Sequence, residues 1–322
     1  SGFSGYGFPE SHAASFALLV YTSAWLKRHK PAAFAASLIN SQPMGFYQPA
    51  QIVRDAREHG VEVRGVDVNH SEWDCTLEAG SGGRALRLGM RVVKGLCEKD
   101  AVRIVEERER GGAFADVRGV WRRSGASAGA MRVLAEADAF GSLGVSRREG
   151  LWAVQGLKDC EMPLFETAAY REEVVELPRC GEEEEVREDY RRVGLSLRSH
   201  PMAFAREGLA ARGVRCCGEL GEEGLMPEGK RVAVAGLVLV RQRPSTASGV
   251  MFMTIEDETG VANLVVRPRV YERYRGIARH SCAVAARGRV SRAGKVVHVV
   301  VEGLGRVELG AGEALGRSRD FH

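Results

Sequence analysis

Three side chains near the start of the sequence are spaced so that one turn can present them together: Tyr6, Phe8 and His12. The glycines beside Tyr6 permit backbone angles that other residues avoid, and the proline after Phe8 fixes φ. Ser11 can accept hydrogen bonds from the first amides of the helix that follows. An imidazole beside two aromatic rings can contact a ligand. The alternative is a capped helix whose rings pack locally and whose His12 is satisfied by the backbone.

Basic residues at two glycine-containing hairpins form a second set of candidates. The segments 93–101 and 130–143 each join helical stretches, and the pattern resembles paired helix-hairpin-helix units. In such a unit a glycine lets backbone amides at a helix N-terminus approach a DNA phosphate, with Lys or Arg beside them. The candidate contacts are Lys94, Gly95, Lys99, Arg147 and Arg148. The pattern often has a second glycine where this chain has Cys97, whose β-carbon is expected to obstruct that approach. The alternative is a structural hairpin with surface arginines.

A third set lies in a β-rich stretch near the end of the chain. The sequence predicts a helical insert over residues 268–279 and five strands, over residues 231–241, 250–257, 261–267, 282–290 and 295–301. This order indicates an OB-fold barrel, on which single strands cross strands two and three and stack bases on aromatic rings. Phe252 is the only aromatic residue on these strands and fits a core position and a stacking platform equally well. The basic candidates, expected to stay exposed because polar strand ends seldom hide, are Arg241, Arg243, Arg267, Arg287, Arg289 and Lys295.

The charge pattern supports contact with a polyanion. Residues 230–303 hold 13 Lys and Arg against 5 Asp and Glu, and residues 84–150 hold 14 against 9. The stretch between them, 178–228, holds 8 against 11. Two basic regions flanking an acidic connector are the arrangement expected of a nucleic-acid-binding chain. The alternative is arginine-rich surface that is merely solvated.

The sequence contains no metal-binding signature. Its seven cysteines are scattered without a C-x-x-C pair, and its eight histidines form no H-E-x-x-H motif, so we expect reduced thiols and no metal site. The acidic runs Glu256–Glu258 and Glu182–Glu185 are interpreted as a β-turn and a linker. Neither run is expected to form a nucleotide site.

The composition favours a globular chain. It has 322 residues with 44% hydrophobic and 27% charged, enough for two or three domains. The most apolar run, Ala13 to Leu26, has 14 residues, fewer than the roughly 20 that cross a bilayer. We expect a buried helix there, no membrane contact and a cytoplasmic location. The absence of a signal peptide and of an initial Met favours a truncated or processed start.

The elements that must position these candidates are both helical and extended. Helices are predicted over residues 11–30, 31–42, 49–59, 98–110 and 129–139. Short strands are predicted over 61–68, 73–78 and 85–90, with a flexible turn at 79–83. The fold class is therefore an α+β multidomain chain, with a helical region bearing a small β element, a helix-hairpin-helix region and a five-stranded OB-fold barrel.

The opening segment resembles the late fingers region of bacterial C-family DNA polymerases. The resemblance rests on Gly5-Tyr6-Gly7-Phe8, Ser11-His12-Ala13-Ala14, Trp25-Leu26-Lys27 and Pro31-Ala32-Ala33-Phe34. The error-prone (ImuC-type) branch is favoured by Asn40–Tyr47, Gln51–Arg57 and Arg317–His322. The resemblance covers the chain from end to end. It implies a fingers end at 1–83, tandem hairpins at 84–157, a connector at 158–229, an OB-fold domain at 230–304 and a tail at 305–322.

The resemblance also implies a function. Tyr6, Phe8 and His12 would line the nucleotide pocket, and Mg²⁺ would be bound by palm carboxylates upstream of this chain, which alone would not catalyse. The partners implied are primer-template and single-stranded DNA, the upstream polymerase domains and an accessory mutagenesis protein (ImuB type). Glu161, Leu164 and Phe165 match a degenerate sliding-clamp motif; because Glu161 replaces a glutamine, we expect weak or absent clamp binding. The implied activity is error-prone, damage-induced translesion synthesis. The alternative is a free-standing non-catalytic nucleic-acid-binding or scaffold protein.

Overall fold

The computed structural model describes residues 10–44, 47–157, 177–178, 180–294, 296–309 and 319–321. They belong to two compact units, Ser1–Arg179 and Cys180–His322. The finer division into five domains stays a prediction.

The first unit begins with three helices, α1 (Glu10–His29), α2 (Pro31–Asn40) and α3 (Pro49–Glu58), as the sequence predicted. A proline at the first turn of α2 and of α3 starts each helix without losing a needed backbone donor. Lys27 Nζ lies 2.7 Å from Asp55 Oδ1 and ties the end of α1 to α3.

The prediction that α1 is a buried helix is wrong for the part of the chain that the structure describes. Residues 14–26 are all exposed there, and Phe16, Leu19 and Tyr21 each expose more than half of their surface. The apolar run identified a helix correctly, but α2, which α1 contacts, does not cover these side chains. None of the described helices is long and apolar enough to cross a membrane.

In the described part of the first unit, a small sheet and four further α-helices follow α3. The strands β1 (Val63–Arg64), β2 (Thr76–Gly80) and β3 (Gly83–Arg87) lie in the order β1-β3-β2, and the predicted turn between β2 and β3 shortens to two residues. The helices are α4 (Glu98–Gly111), α5 (Val117–Ser124), α6 (Ala128–Glu136) and α7 (Arg147–Gln155). The sequence did not predict α5, a short helix whose first turn is capped by Asp116 accepting from the amide of Gly119.

The second unit begins with two helices, α8 (Glu182–Arg192) and α9 (Pro201–Ala210). The interpretation of Glu182–Glu185 as a linker is therefore wrong, because these four acids form the first turn of α8. Negative side chains are favourable at a helix N-terminus, where the backbone dipole is positive.

The rest of the second unit is a closed β-barrel, which confirms the predicted OB-fold. Its strands are β4 (Arg231–Gln242), β5 (Met251–Glu256), β6 (Val261–Val266), β7 (Ala283–Ala293) and β8 (Val296–Arg306), with α10 (Pro268–Arg273) and α11 (Arg275–His280) between β6 and β7. The strand order is β5-β6-β8-β7-β4, and β5 also pairs with β4. A further strand, β9 (Arg319–Phe321), pairs in parallel with β4 inside the segment predicted as a tail.

Strand alternation builds the barrel core. On β6, Ala262, Leu264 and Val266 are buried, whereas the residues between them face outward. Met253 and Ile255 of β5 join the same core cluster. Alternation therefore fixes which side chains of β5 and β6 remain on the outer surface.

Candidate nucleic-acid interface

Phe252 lies on the outer face of the barrel, where it exposes 38% of its surface. Its neighbours Met251 and Met253 are buried, so alternation turns the ring to solvent. Phe252 pairs with Val265 of β6, which in turn pairs with Val300 of β8. The alternative left open by the sequence is therefore resolved: Phe252 is not a core residue.

Two predicted cations flank Phe252 at the ends of its neighbouring strands. Arg243 is exposed, and its guanidinium lies over the ring of Tyr271 at 4.4 Å from the centroid. It follows Gln242, which pairs with Phe252. Arg267 is also exposed and follows the last residue of β6. An aromatic ring between two cations can stack a base and hold the adjoining phosphates.

Arg287 and Arg289 lie elsewhere on the barrel, on the outer face of β7. Both are exposed, as predicted. Arg289 Nε forms an ion pair with Glu302 Oε1 at 3.0 Å. They do not join the surface around Phe252 directly, because β8 lies between β6 and β7.

Two predicted DNA contacts are buried, so the prediction that these side chains are exposed to DNA is wrong. Arg241 is 6% exposed; its Nε donates to the carbonyl of Ala278 at 2.7 Å, and its Nη2 donates to the carbonyl of Ser281. Arg147 is 3% exposed and donates from Nη1 to the carbonyl of Glu136 at 2.8 Å. Each guanidinium satisfies carbonyls near a helix end, which a buried arginine does well because it carries five donors.

The first hairpin presents its predicted residues on the surface. Lys94, Gly95 and Lys99 are exposed, and Cys97 directly precedes α4. The backbone of Cys97 is extended, with φ −83°, so a β-carbon there causes no backbone strain. The first turn of α4 also carries Glu98 and Asp100, two acids that oppose a phosphate and that were not among the predicted site residues.

Gly95 adopts a positive φ of 88°, and a β-carbon there would lie 3.7 Å from Val133 Cγ1 at the nearest. Space is available, so the cost of Gly95→Ala is backbone strain, and we expect a loss of about 1–2 kcal/mol of stability. Gly129→Ala is the control, because this helical glycine has ordinary φ and open space, and it should stabilise by up to about 1 kcal/mol. Hydrogen exchange of peptides from α4 to α7, followed by mass spectrometry, measures both changes, and equal effects would contradict this explanation.

The second hairpin carries the other predicted contact, Arg148. Arg148 is half-buried and donates from Nη1 to the carbonyl of Pro178 at 2.8 Å. Gly144 has a positive φ of 70° and leads into α7, whose first turn is capped by Ser146 and Glu149.

Several predicted residues cannot be compared with the structure. Tyr6, Phe8, Glu161, Leu164, Phe165 and Lys295 lie outside the described residues. His12 lies in α1, but its side chain is not described. Their roles stay predictions.

A group of possible metal ligands lies beside the β5–β6 turn, where Cys216, Asp257 and Glu258 bring one ligand atom each within 4.8 Å. The guanidinium of Arg206 already occupies this cluster: its Nη2 lies 2.8 Å from Asp257 Oδ2, and its Nε pairs with Glu258. Burial raises the pKa of the Cys216 thiol, so it stays protonated at neutral pH. The cluster fits an internal ion pair better than a cation site.

Family models match both regions that carry the candidates. A model of the helix-hairpin-helix motif matches residues 60–150, and a model of an OB-fold nucleic acid binding domain matches residues 232–305. The two matches agree with the helices and the barrel described above, and they place a helix-hairpin-helix motif and an OB-fold of the nucleic-acid-binding type in one chain.

Proteins with similar sequences are named as error-prone DNA polymerases. "Error-prone DNA polymerase 2" of Rhizobium meliloti (strain 1021) is 51% identical over 315 residues, which cover 94% of this chain and 29% of that protein. "Error-prone DNA polymerase" of Anaeromyxobacter sp. (strain K) is 49% identical over 329 residues, covering 100% of this chain and 29% of that protein. These similarities confirm the resemblance to bacterial error-prone DNA polymerases. The chain spans about 29% of the length of these relatives.

Among solved structures, asparaginyl-tRNA synthetase from Pyrococcus horikoshii matches 30% of this chain and 23% of its own chain at 27% identity, with a TM-score of 0.25. A TM-score this low does not by itself indicate a shared fold.

Proposed function

We propose that this chain is the DNA-holding part of an error-prone DNA polymerase. The observation that carries the proposal is the outward ring of Phe252 between Arg243 and Arg267, on a barrel that matches a nucleic-acid-binding family. A single strand crossing β5 and β6 stacks a base on Phe252, and its phosphates meet the two arginines. The exposed Lys94 and Lys99 of the first hairpin contact the backbone of the primer-template duplex.

Catalysis is proposed for the whole polymerase, not for this chain alone. Tyr6, Phe8 and His12 line the nucleotide pocket, with His12 near the sugar of the incoming nucleotide. Mg²⁺ would be bound by palm carboxylates outside this chain, and when bound it would supply the positive charge that activates the primer hydroxyl and neutralises the triphosphate. The exposed apolar residues of α1 support the placement of the catalytic domains outside this chain, because upstream polymerase domains would cover these residues.

The cellular role follows from the same resemblance. The polymerase copies damaged templates in the cytoplasm, together with an accessory mutagenesis protein. Its contact with the sliding clamp through Glu161, Leu164 and Phe165 is weak or indirect. Appreciable clamp affinity of this chain, lost on Leu164→Ala with Phe165→Ala, would contradict that part.

Primer extension on a template with an abasic site tests the proposal. We expect no extension by this chain alone and extension past the lesion when it is joined to the upstream part of the polymerase. In the joined protein, His12→Ala should lower nucleotide incorporation and weaken discrimination between ribose and deoxyribose. Unchanged incorporation and sugar discrimination would show that His12 is not part of the nucleotide pocket. The absence of any extension by the joined protein would contradict the polymerase function.

A further inference from the structure

A cationic cleft of about 700 Å³ opens on the outer surface of the barrel, away from Phe252. It lies over β4 and β7, beside the segment 213–230 that precedes the barrel. Its charged lining residues are Arg215, Lys230, Arg231, Arg287 and Glu302. Four cations against one carboxylate give the cleft a positive field.

Arginines on neighbouring strands face each other beside the cleft, and their repulsion lowers the stability of the sheet unless an anion compensates it. Arg231 of β4 stands directly opposite Arg289 of β7, and Arg287 stands opposite the next outward residue of β4, Ala233. Like charges directly opposite each other on a sheet are destabilising. The single acid of the lining, Glu302, is already engaged by Arg289 at 3.0 Å.

The cations of the cleft differ in their partners. Lys230 donates to the carbonyl of Leu225, and Arg215 pairs with Glu219. Within the described part of the chain, the guanidiniums of Arg231 and Arg287 have no hydrogen-bond or ion-pair partner. These two side chains are therefore available to an anionic ligand.

The backbone of β8 makes room for Arg287. A β-bulge leaves Glu302 unpaired, because Arg287 pairs with Gly303 and the next residue of β7 pairs with Val301. A β-carbon at Gly303 would lie 2.7 Å from Arg287 Nε. The glycine thus leaves the space along which the arginine lies, and the bulge turns Glu302 outward to Arg289.

The chemistry of the lining favours a phosphate backbone as the ligand. None of the described residues that line the cleft is aromatic, so these residues give bases nothing to stack on. An open groove of guanidinium groups matches the repeated charge and the bidentate geometry of phosphodiesters.

Cross-strand pairs connect the strands that carry the cleft to the strand that carries Phe252. Paired residues run around the barrel from Phe252 through Val265 and Val300 to Arg289 and Arg231. At about 4.8 Å per strand, Phe252 and Arg289 are separated by roughly 14 Å around the barrel. A few nucleotides span this distance, within the site sizes of OB-folds.

We propose that this cleft is a second nucleic-acid contact, which holds the sugar–phosphate backbone through Arg231 and Arg287 and reads no bases. The proposal rests on the proposed binding of nucleic acid by the barrel. It assigns the two outer surfaces different tasks: the Phe252 surface stacks bases, and the cleft neutralises phosphates.

The test is the salt dependence of binding of fluorescent oligothymidylate by the full chain. Arg231→Ala and Arg287→Ala should each reduce the slope of log K against log salt by about 0.7, and the double variant by about 1.4. Arg231→Lys with Arg287→Lys should keep the slope, because the charge remains. Arg191→Ala removes an exposed arginine of α8 and should leave the slope unchanged. Both cleft side chains are exposed, so the variants should stay folded, and their thermal unfolding should occur at the parent temperature or slightly above it, because Arg231→Ala removes the repulsion from Arg289.

The outcomes separate this proposal from the proposed function. If the double alanine variant keeps the parent affinity and slope while Phe252→Ala weakens binding, the cleft is not a backbone contact but the barrel still binds DNA. If the parent chain does not bind oligothymidylate at low salt, the proposed function fails and the cleft proposal fails with it. If polyglutamate binds the parent more tightly than oligothymidylate, and the double variant loses only polyglutamate, the cleft takes an acidic protein segment and the proposal is overturned.

Discussion

Asp257→Ala is expected to cost the barrel about 3–5 kcal/mol of stability. The carboxylate is 1% exposed and accepts five hydrogen bonds in a turn that joins β5 to β6. Oδ1 accepts from the amides of Thr259 and Gly260 and from the Thr259 hydroxyl. Oδ2 accepts from the amide of Cys217 and from Arg206 Nη2, both at 2.8 Å. Removing the carboxylate leaves several of these buried donors without an acceptor.

Hydrogen exchange followed by mass spectrometry measures this loss locally. Because the chain has two compact units, a single unfolding curve does not report on the barrel alone. Peptides from β4 to β8 should lose protection, whereas peptides from α4 to α7 should keep it. Glu302→Ala is the control, since this acid forms a surface ion pair that is 45% exposed and worth no more than about 1 kcal/mol. Equal effects of the two substitutions would refute the structural role of Asp257.

The same carboxylate makes barrel stability depend on pH. Burial alone would raise the pKa of Asp257, but the hydrogen bonds from Thr259 and Cys217 and the charge of Arg206 outweigh burial and hold the pKa below its usual value. The folded pKa is thus lower than the unfolded value of about 3.9. The stabilisation is present above about pH 4 and is lost as pH falls through the folded pKa. Asp257→Asn should remove this part of the acid-induced loss of protection.

Phe252→Ala is expected to weaken binding of single-stranded DNA about 5- to 150-fold, because one base–aromatic stack contributes about 1–3 kcal/mol. The substitution removes no charge, so the salt dependence of binding should stay unchanged. Fluorescence anisotropy with labelled oligothymidylate measures the affinity and the slope together. Phe252→Tyr keeps an aromatic face and should retain most of the affinity.

Phe204→Ala is a closely matched control. Phe204 is on α9 of the same unit and exposes 37% of its surface, against 38% for Phe252, but it lies on a helix outside the barrel strands. We expect its loss to leave DNA affinity unchanged. If both alanine variants weaken binding equally, the loss reflects general apolar surface and not a stack on β5.

The sequence predicted the barrel well because its signals are local. The order of five β segments, with a helical insert after the third, identified the OB-fold without reference to distant contacts. The prediction that Ala13–Leu26 form a buried helix was wrong because burial depends on distant contacts. An apolar run predicts a helix, but what covers that helix depends on tertiary context, which composition does not contain.

The candidate site was only partly predictable for the same reason. Arg243, Arg267, Arg287 and Arg289 are exposed as predicted, but Arg241 and Arg147 bind buried carbonyls. A buried and an exposed arginine cannot be distinguished in sequence when the carbonyls that they satisfy lie 11 to 40 residues away. Arg231 was missed, although its place one residue before the buried Val232 marks it as an outward position of β4.

The central claim is that single-stranded DNA crosses β5 and β6 with a base on Phe252. Photo-crosslinking with an oligonucleotide that carries 5-iodouracil, followed by mapping of the adduct by mass spectrometry, tests it most directly. We predict an adduct on the β5 peptide Met251–Glu256, lost in Phe252→Ala. Crosslinks confined to other peptides, with none on β5 or β6 while the chain still binds the oligonucleotide, would contradict the claim.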